Sequence, residues 1–132
     1  MIHIGIDVGV NTGFAVSENK KLTEVATYGI LDAMEKVLEQ DGAIVLHIED
    51  PTQNAYMART TRAEIGRLQG AGSVKRDFKI WMEFVKKHGI KHVLHSHRKT
   101  KKLNSEQFKK LTGWSKQTNQ HGRDAAYLVW GR

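Results

Sequence analysis

The chain has 132 residues, of which 39% are hydrophobic and 27% charged, so it is long enough to bury a core and has the composition of a soluble globular protein. It has no cysteine, which excludes disulfides and thiolate ligands, and it has neither a signal-peptide pattern nor an apolar run near the ~20 residues that span a bilayer. We expect one intracellular domain over residues 1–132, whose metal sites would use Asp, Glu, His or backbone oxygen.

The first predicted strand is Ile2–Val8, in which isoleucine and valine alternate with other residues. This alternation places Asp7 on the face opposite the apolar side chains, together with Gly5. A carboxylate in an apolar strand is costly unless it is paired or metal-bound, and the missing side chain of Gly5 would leave room for a metal ion or a phosphate. The alternative is a plain strand and a hairpin turn over Gly9–Gly13, with Asp7 serving the turn.

Two short strands are predicted next, Phe14–Glu18 and Glu24–Tyr28, with a turn at Lys20-Lys21. Their connections are too short for parallel crossovers, so the first three strands form an antiparallel meander. Apolar residues at helical spacing predict an amphipathic helix over Ile30–Gln40. The apolar strand Ala43–Glu49 follows, and its position after a helix makes it a parallel neighbour of the first strand.

A long helical pattern occupies the middle of the chain. Asp50 and Pro51 are typical of a helix start, as N-cap and first helical residue, and Thr52–Arg62 is short helix or loop. From Arg62 to His88 the apolar residues recur on one helix face. Three glycines near the start of this pattern either provide a bare face for close packing or break it into two helices. They are Gly66, Gly70 and Gly72.

The last third of the chain alternates predicted elements with polar loops. Ile90–His95 is a fifth strand, followed by the basic loop His97–Lys102. Ser105–Leu111 is a short helix with Ser105 as its candidate N-cap, and Gly113–Asn119 is a loop. The final helix is His121–Trp130.

The excess positive charge lies in one segment. The formal net charge is +7, and residues 95–123 carry eight basic side chains and one acidic one, whereas the rest of the chain is balanced. Blocks of like charge favour contact with polyanions such as nucleic acids, although a solvated basic face is the alternative. The eight are Arg98, Lys99, Lys101, Lys102, Lys109, Lys110, Lys116 and Arg123.

Three carboxylates and one histidine stand where the predicted fold brings them together. Asp7 ends the first strand, Glu49 ends its predicted neighbour, and Asp124 lies in the last helix one turn after His121. Such a set can hold two Mg²⁺ ions for phosphodiester hydrolysis. The alternatives are a strand-end surface charge for Glu49, a helix salt bridge for Asp124 and an N-terminal helix cap for His121.

In order and spacing, nearly the whole chain resembles the RuvC-like Holliday junction resolvases of the ribonuclease H and retroviral-integrase superfamily. Each matching motif is weak alone, and the set is specific. The motifs are Gly5-Ile6-Asp7-Val8-Gly9 with Thr12-Gly13, Ile48-Glu49, Leu68-Gln69-Gly70-Ala71-Gly72 and His121-Gly122-Arg123-Asp124-Ala125-Ala126.

The resemblance implies an α/β, ribonuclease H-like fold, with a five-stranded mixed sheet flanked by helices. It implies a homodimer, with its dimer helix beginning near Arg62, that cuts four-way DNA junctions or other branched DNA. It also implies an acidic site with two Mg²⁺ ions, replaceable by Mn²⁺, at Asp7, Glu49, His121 and Asp124, with His121 as ligand or proton carrier. The short chain resembles phage-encoded members, so we expect a cytoplasmic protein of a bacterial or phage-infected cell.

The candidate DNA contacts come from the basic segment. We expect these side chains to hold phosphates of the substrate: Arg98, Lys99, Lys101, Lys102 and Arg123.

The chain also departs from the family. Members place an aromatic residue just after the strand-four glutamate, whereas this chain has Asp50-Pro51-Thr52 there and Tyr56 as the nearest aromatic. Junction selectivity therefore follows less directly than nuclease activity. The alternatives are a nuclease of the same fold acting on RNA precursors, a branched-DNA-binding module with structural carboxylates, and an actin-like ATPase, for which 132 residues are too few.

Overall fold

The computed structural model describes residues 1–51, 65–96 and 102–132, and over 65–72 it describes the backbone alone. The strands are β1 (Ile2–Asp7), β2 (Asn11–Glu18), β3 (Lys21–Gly29), β4 (Ile44–Glu49) and β5 (His92–His95). The helices are α1 (Ile30–Leu38), α2 (Ile65–His88), α3 (Ser105–Thr112) and α4 (Gln120–Val129). None of these helices is long and apolar enough to cross a membrane.

The five strands form one mixed sheet in the order β3-β2-β1-β4-β5. β1, β2 and β3 pair antiparallel, and β1, β4 and β5 pair parallel, so the predicted meander and the predicted β1–β4 neighbours are confirmed. The strand–helix–strand connection through α1 explains the parallel pairing, because a crossover is needed to bring two strands into the same direction.

The second and third strands are longer than predicted. β2 begins at Asn11, because Asn11 and Thr12 already pair with β3 before Gly13 pairs with Asp7 of β1. β3 begins at Lys21, after a tight turn in which Asn19 and Lys20 have φ values of 53° and 67°. Two consecutive left-handed residues are typical of a two-residue hairpin, so the predicted turn lies one residue earlier than expected.

The two faces of the sheet bury different cores. One face presents residues such as Ile4, Ile6 and Phe14 to α1 and to Trp81 and Val85 of α2. The other face packs against α4 and against α3 through a smaller cluster. That cluster contains Ala15, Phe108, Ala125, Ala126, Leu128 and Val129.

Two glycines allow α4 to lie directly on the sheet. A Cβ on Gly5 would stand 2.1 Å from the Ala125 carbonyl oxygen, and a Cβ on Gly13 would stand 1.9 Å from that of His121. The space beside Asp7 that the sequence assigned to a metal ion or a phosphate is therefore filled at Gly5 by the α4 backbone. Close approach of the helix is what brings the residues of its first turn to the end of β1.

The helix boundaries differ from the sequence predictions at two caps. Asn104, and not Ser105, caps α3, since its side chain accepts from the Gln107 N–H and the Gln107 side chain accepts from the Asn104 N–H. Asn119 caps α4 by accepting from the Gly122 N–H at 2.9 Å, and it also accepts from the Thr27 hydroxyl of β3 at 2.7 Å. This second bond ties the start of α4 to the sheet.

The long helix α2 is continuous through residues 66, 70 and 72, so the interpretation as two helices is wrong. The expected helix start near Arg62, the segment Thr52–Arg62 with Tyr56, and the helix that Asp50 would cap lie outside the described residues. Asp50 itself is buried, and its backbone N–H donates to the His95 carbonyl at 2.8 Å.

Candidate active site

Asp7 lies at the end of β1, where the sheet meets the first turn of α4. Its carboxylate is largely covered, with 23% of the side-chain surface exposed. The Nδ1 atom of His121 lies 3.2 Å from the Oδ2 atom of Asp7. An ionised carboxylate only accepts, so Nδ1–H is the donor in this contact, and Nε2 is the ring nitrogen that Asp7 does not engage.

Asp124 lies one turn further along α4, and its two oxygens have different neighbours. Oδ1 accepts a hydrogen bond from the Gln120 side-chain amide at 2.7 Å. Oδ2 lies 3.6 Å from the Lys102 ammonium. Asp124 therefore does form a salt bridge, but its partner is Lys102 of the basic loop and not a residue of the same helix.

Glu49 ends β4, the strand that pairs with β1, and pairs in register with His95 of β5. Glu49 lies close enough to Asp7 for its negative charge to raise the pKa of Asp7. The charge of Asp124 has the same effect. The predicted arrangement of the last helix against two adjacent strand ends therefore brings all four predicted residues to one edge of the sheet.

Burial and like charge change the acidity of Asp7. Burial raises the pKa of Asp7 to about 6, and the neighbouring charges of Asp124 and Glu49 act in the same direction. The hydrogen bond from His121 opposes this rise in the pKa. A carboxylate that is hard to ionise beside two others is stabilised by a cation, which is the physical argument for metal binding here.

The donor set fits a hard divalent ion in chemistry, with three carboxylates and one imidazole. In the described part of the chain, no three of these side chains stand close enough to hold one ion without adjustment.

The predicted DNA contacts have different outcomes. Lys102 is exposed over 64% of its side chain and reaches the site. Arg98, Lys99 and Lys101 lie outside the described residues. Arg123 is 8% exposed, and its guanidinium donates to the Thr118 carbonyl and hydroxyl and to Gln120. These bonds hold the Arg123 side chain in the protein interior, which argues against a DNA contact.

The sequence analysis missed Gln120, although residues four apart on a helix, such as Gln120 and Asp124, are neighbours on its surface. It also missed a ladder of three histidines on the α4 face of the sheet. His3 Nδ1 lies 2.9 Å from His47 Nε2, and His47 Nδ1 lies 2.8 Å from His95 Nε2. The signal was present in the strand alternation, since His3 shares a face with Asp7, and His47 shares one with Glu49.

No protein-family model matches the chain, and no curated protein sequence matches it. Among solved structures, T. thermophilus RuvC in complex with a Holliday junction substrate matches it with a TM-score of 0.61 and 14% sequence identity. The match covers 98% of this chain and 90% of the RuvC chain. The fold is ribonuclease H-like. This likeness confirms the fold class predicted from the sequence.

Proposed function

We propose that this protein is a metal-dependent, structure-selective endonuclease that resolves four-way DNA junctions, or cuts other branched DNA, by phosphodiester hydrolysis. The observation that carries the proposal is the meeting of Asp7, Glu49, His121 and Asp124 at one sheet edge, where burial and mutual repulsion raise the pKa of Asp7 to about 6. The fold shared with RuvC supports the same interpretation.

The site residues divide into two roles under this proposal. Asp7, Glu49 and Asp124 hold two Mg²⁺ ions, or Mn²⁺ in their place, and His121 is a further ligand or a proton carrier through Nε2. Bound ions would supply a polarised water and charge stabilisation at the phosphate. The ends of β1 and β4 and the first two turns of α4 position these groups, and the surrounding protein buries most of the Asp7 side chain.

The substrate side of the proposal rests on charge. All the net positive charge lies in residues 95–123, and Lys102 brings that segment to within 3.6 Å of Asp124. We propose that Arg98, Lys99, Lys101 and Lys102 hold backbone phosphates while the carboxylates act on the scissile one. A homodimer, with α2 as its contact helix, would place two such sites on opposing strands of a junction.

The test is cleavage of a labelled four-way junction in Mg²⁺, with linear duplex, a single-stranded RNA and EDTA as comparisons. We expect paired nicks on the junction, none on the duplex and none in EDTA. Cleavage of the RNA alone would move the assignment to RNA processing. Tight junction binding without cleavage in Mg²⁺ or Mn²⁺ would make the protein a binding module and contradict the proposal.

A further inference from the structure

The amide of Gln120 lies between two groups that fix its orientation. Its Nε2 donates to Asp124 Oδ1 at 2.7 Å, and its Oε1 accepts from Arg123 Nη2 at 3.3 Å. A guanidinium can only donate and a carboxylate can only accept, so the amide has one orientation that satisfies both. Gln120 therefore presents a donor to Asp124.

Arg123 is itself held in place. It is buried, and its Nη1 donates to the Thr118 carbonyl at 2.7 Å and to the Thr118 hydroxyl at 3.0 Å. Thr118 in turn contacts the Ser105 hydroxyl at 3.4 Å, which joins the loop to α3. The orientation of the Gln120 amide thus depends on a buried cation anchored outside the site.

The other oxygen of Asp124 has a different environment. Oδ2 faces the ammonium of Lys102 at 3.6 Å, so a positive charge already approaches this oxygen. Because Oδ1 accepts from Gln120, a rotation of the carboxylate that exchanged Oδ1 and Oδ2 would break this hydrogen bond. Outer hydrogen bonds of this kind fix the direction in which a carboxylate ligand offers its lone pairs.

We propose that Gln120 is a positioning residue, oriented by Arg123, that holds Asp124 Oδ1 so that Oδ2 is the oxygen offered to a cation. This inference rests on the proposed function, because it gives Asp124 the role of metal ligand. It assigns the buried Arg123 to preorganisation of the site in place of the phosphate contact that its charge indicated.

The primary test is Gln120→Met, which keeps side-chain length and helix propensity but removes the donor and leaves the Arg123–Thr118 bonds in place. Mn²⁺ affinity is measured by calorimetry without DNA. We expect the affinity to fall about tenfold or more, the range found when hydrogen bonds to metal ligands are removed. The matched control is Gln40→Met, since the side-chain amide of Gln40 donates to the Lys36 carbonyl at the end of α1.

The kinetic readout separates positioning from general damage. At low Mn²⁺, Gln120→Met should lower kcat for junction cleavage with the KM for the junction unchanged, and saturating Mn²⁺ should restore kcat. A fall in kcat that excess metal does not restore would contradict positioning. So would an unchanged metal affinity together with wild-type kcat.

A metal-free readout keeps the inference testable if variants lose stability. In EDTA, the Gln120 side-chain amide signals in a ¹H–¹⁵N spectrum should shift in Asp124→Ala and in Arg123→Lys, because each change removes or moves one bonded neighbour. Unchanged signals in both variants would overturn the inference.

The two proposals fail in different ways. If the wild type binds Mn²⁺, Asp7→Asn abolishes binding and Gln120→Met leaves it intact, the inference about Gln120 is wrong and the metal site stands. If the wild type binds no Mn²⁺, the proposed function is contradicted and the inference is overturned with it.

Discussion

At the scale of single residues, the ionisation of Asp7 links stability to function. The folded chain holds its pKa at about 6, against an ordinary value of 3.8, chiefly through burial. A carboxyl group with a raised folded pKa contributes its full stability only below the ordinary value. That contribution is lost as the pH rises through 6. Asp7 therefore contributes least to the stability of the metal-free protein at neutral and alkaline pH.

Replacing Asp7 with Asn should stabilise the metal-free protein at pH 8. The gain follows from removal of a buried charge beside Glu49 and Asp124, and we expect about 1–3 kcal/mol, converted from the pKa rise. Urea unfolding in EDTA from pH 4 to pH 8 measures it, and the gain should disappear near pH 4. Asp41→Asn, at an exposed loop position, serves as the control. A gain that is independent of pH would contradict the account.

The sequence predicted residue types at this site better than it predicted their partners. Asp7, Glu49 and Asp124 were found because a strand-end or helix position fixes where a carboxylate lies. Arg123 was misplaced because its burial depends on how the loop 113–119 folds back on α4, which no local pattern specifies. Gln120 was missed because its role exists only through Asp124 and Arg123.

At the scale of elements, the packing of α4 on β1 and β2 determines whether the site residues come together. The helix backbone passes so near Gly5 and Gly13 that no side chain fits at either position. The antiparallel meander and the β1–β4 pairing followed from the connections between the strands, and these were readable in the sequence. The contact at Gly5 was not, since a glycine in a strand is equally consistent with a gap for a ligand.

Gly5→Ala should displace α4 and disable the site. The added methyl group would collide with the Ala125 carbonyl, a backbone atom that cannot move alone. We expect destabilisation at the upper end of the about 1–3 kcal/mol typical of overpacking, together with loss of cleavage. Gly29→Ala is the matched control, because nothing lies within 4 Å of a Cβ there. Equal stability of the two variants would contradict the packing described for α4.

The histidine ladder gives the sheet a second pH dependence, of opposite sign. Burial lowers the pKa of His47 to about 4, with neighbouring positive charges, Arg132 first, acting in the same direction. A histidine with a lowered folded pKa contributes stability that is complete above 6.5 and is lost as the pH falls through 4. Its two ring contacts, to His3 and His95, join β1, β4 and β5.

The difference in unfolding free energy between the wild type and His47→Gln should therefore shrink as the pH falls from 7 to 4. Urea unfolding at several pH values measures it, with His92→Gln as a control at an exposed position on β5. We expect the change to be about 1–3 kcal/mol. A difference that stays constant over this range would contradict a neutral, buried His47.

At the scale of the whole molecule, the charge distribution is the feature that bears on the substrate. The surplus of seven positive charges lies in the segment that follows β5 and includes α3 and the start of α4. Within the described part of this segment, Lys102 lies 3.6 Å from the carboxylate of Asp124. An acidic site beside a basic segment is suited to a polyanion that is bound broadly and cut at one point.

Salt dependence measures how many phosphates this segment neutralises. The double variant Lys101→Ala, Lys102→Ala should reduce the log–log salt slope of junction binding by about 0.9 for each phosphate that is no longer neutralised. Fluorescence anisotropy over a range of salt concentrations measures the slope. The control is Lys86→Ala, Lys87→Ala, at the end of α2 that leads into the start of β5. An unchanged slope in the first variant would remove these lysines from the interface.

Under the proposed function, Asp7 takes part in the chemistry and is dispensable for holding DNA. The most direct measurement compares wild type and Asp7→Asn on one labelled four-way junction, recording binding in Ca²⁺ or EDTA and single-turnover cleavage in Mg²⁺. We expect the variant to bind the junction at least as tightly as the wild type and to cut it at least about 100-fold more slowly, which corresponds to about 2.7 kcal/mol of transition-state stabilisation. Cleavage by Asp7→Asn at the wild-type rate would contradict this expectation.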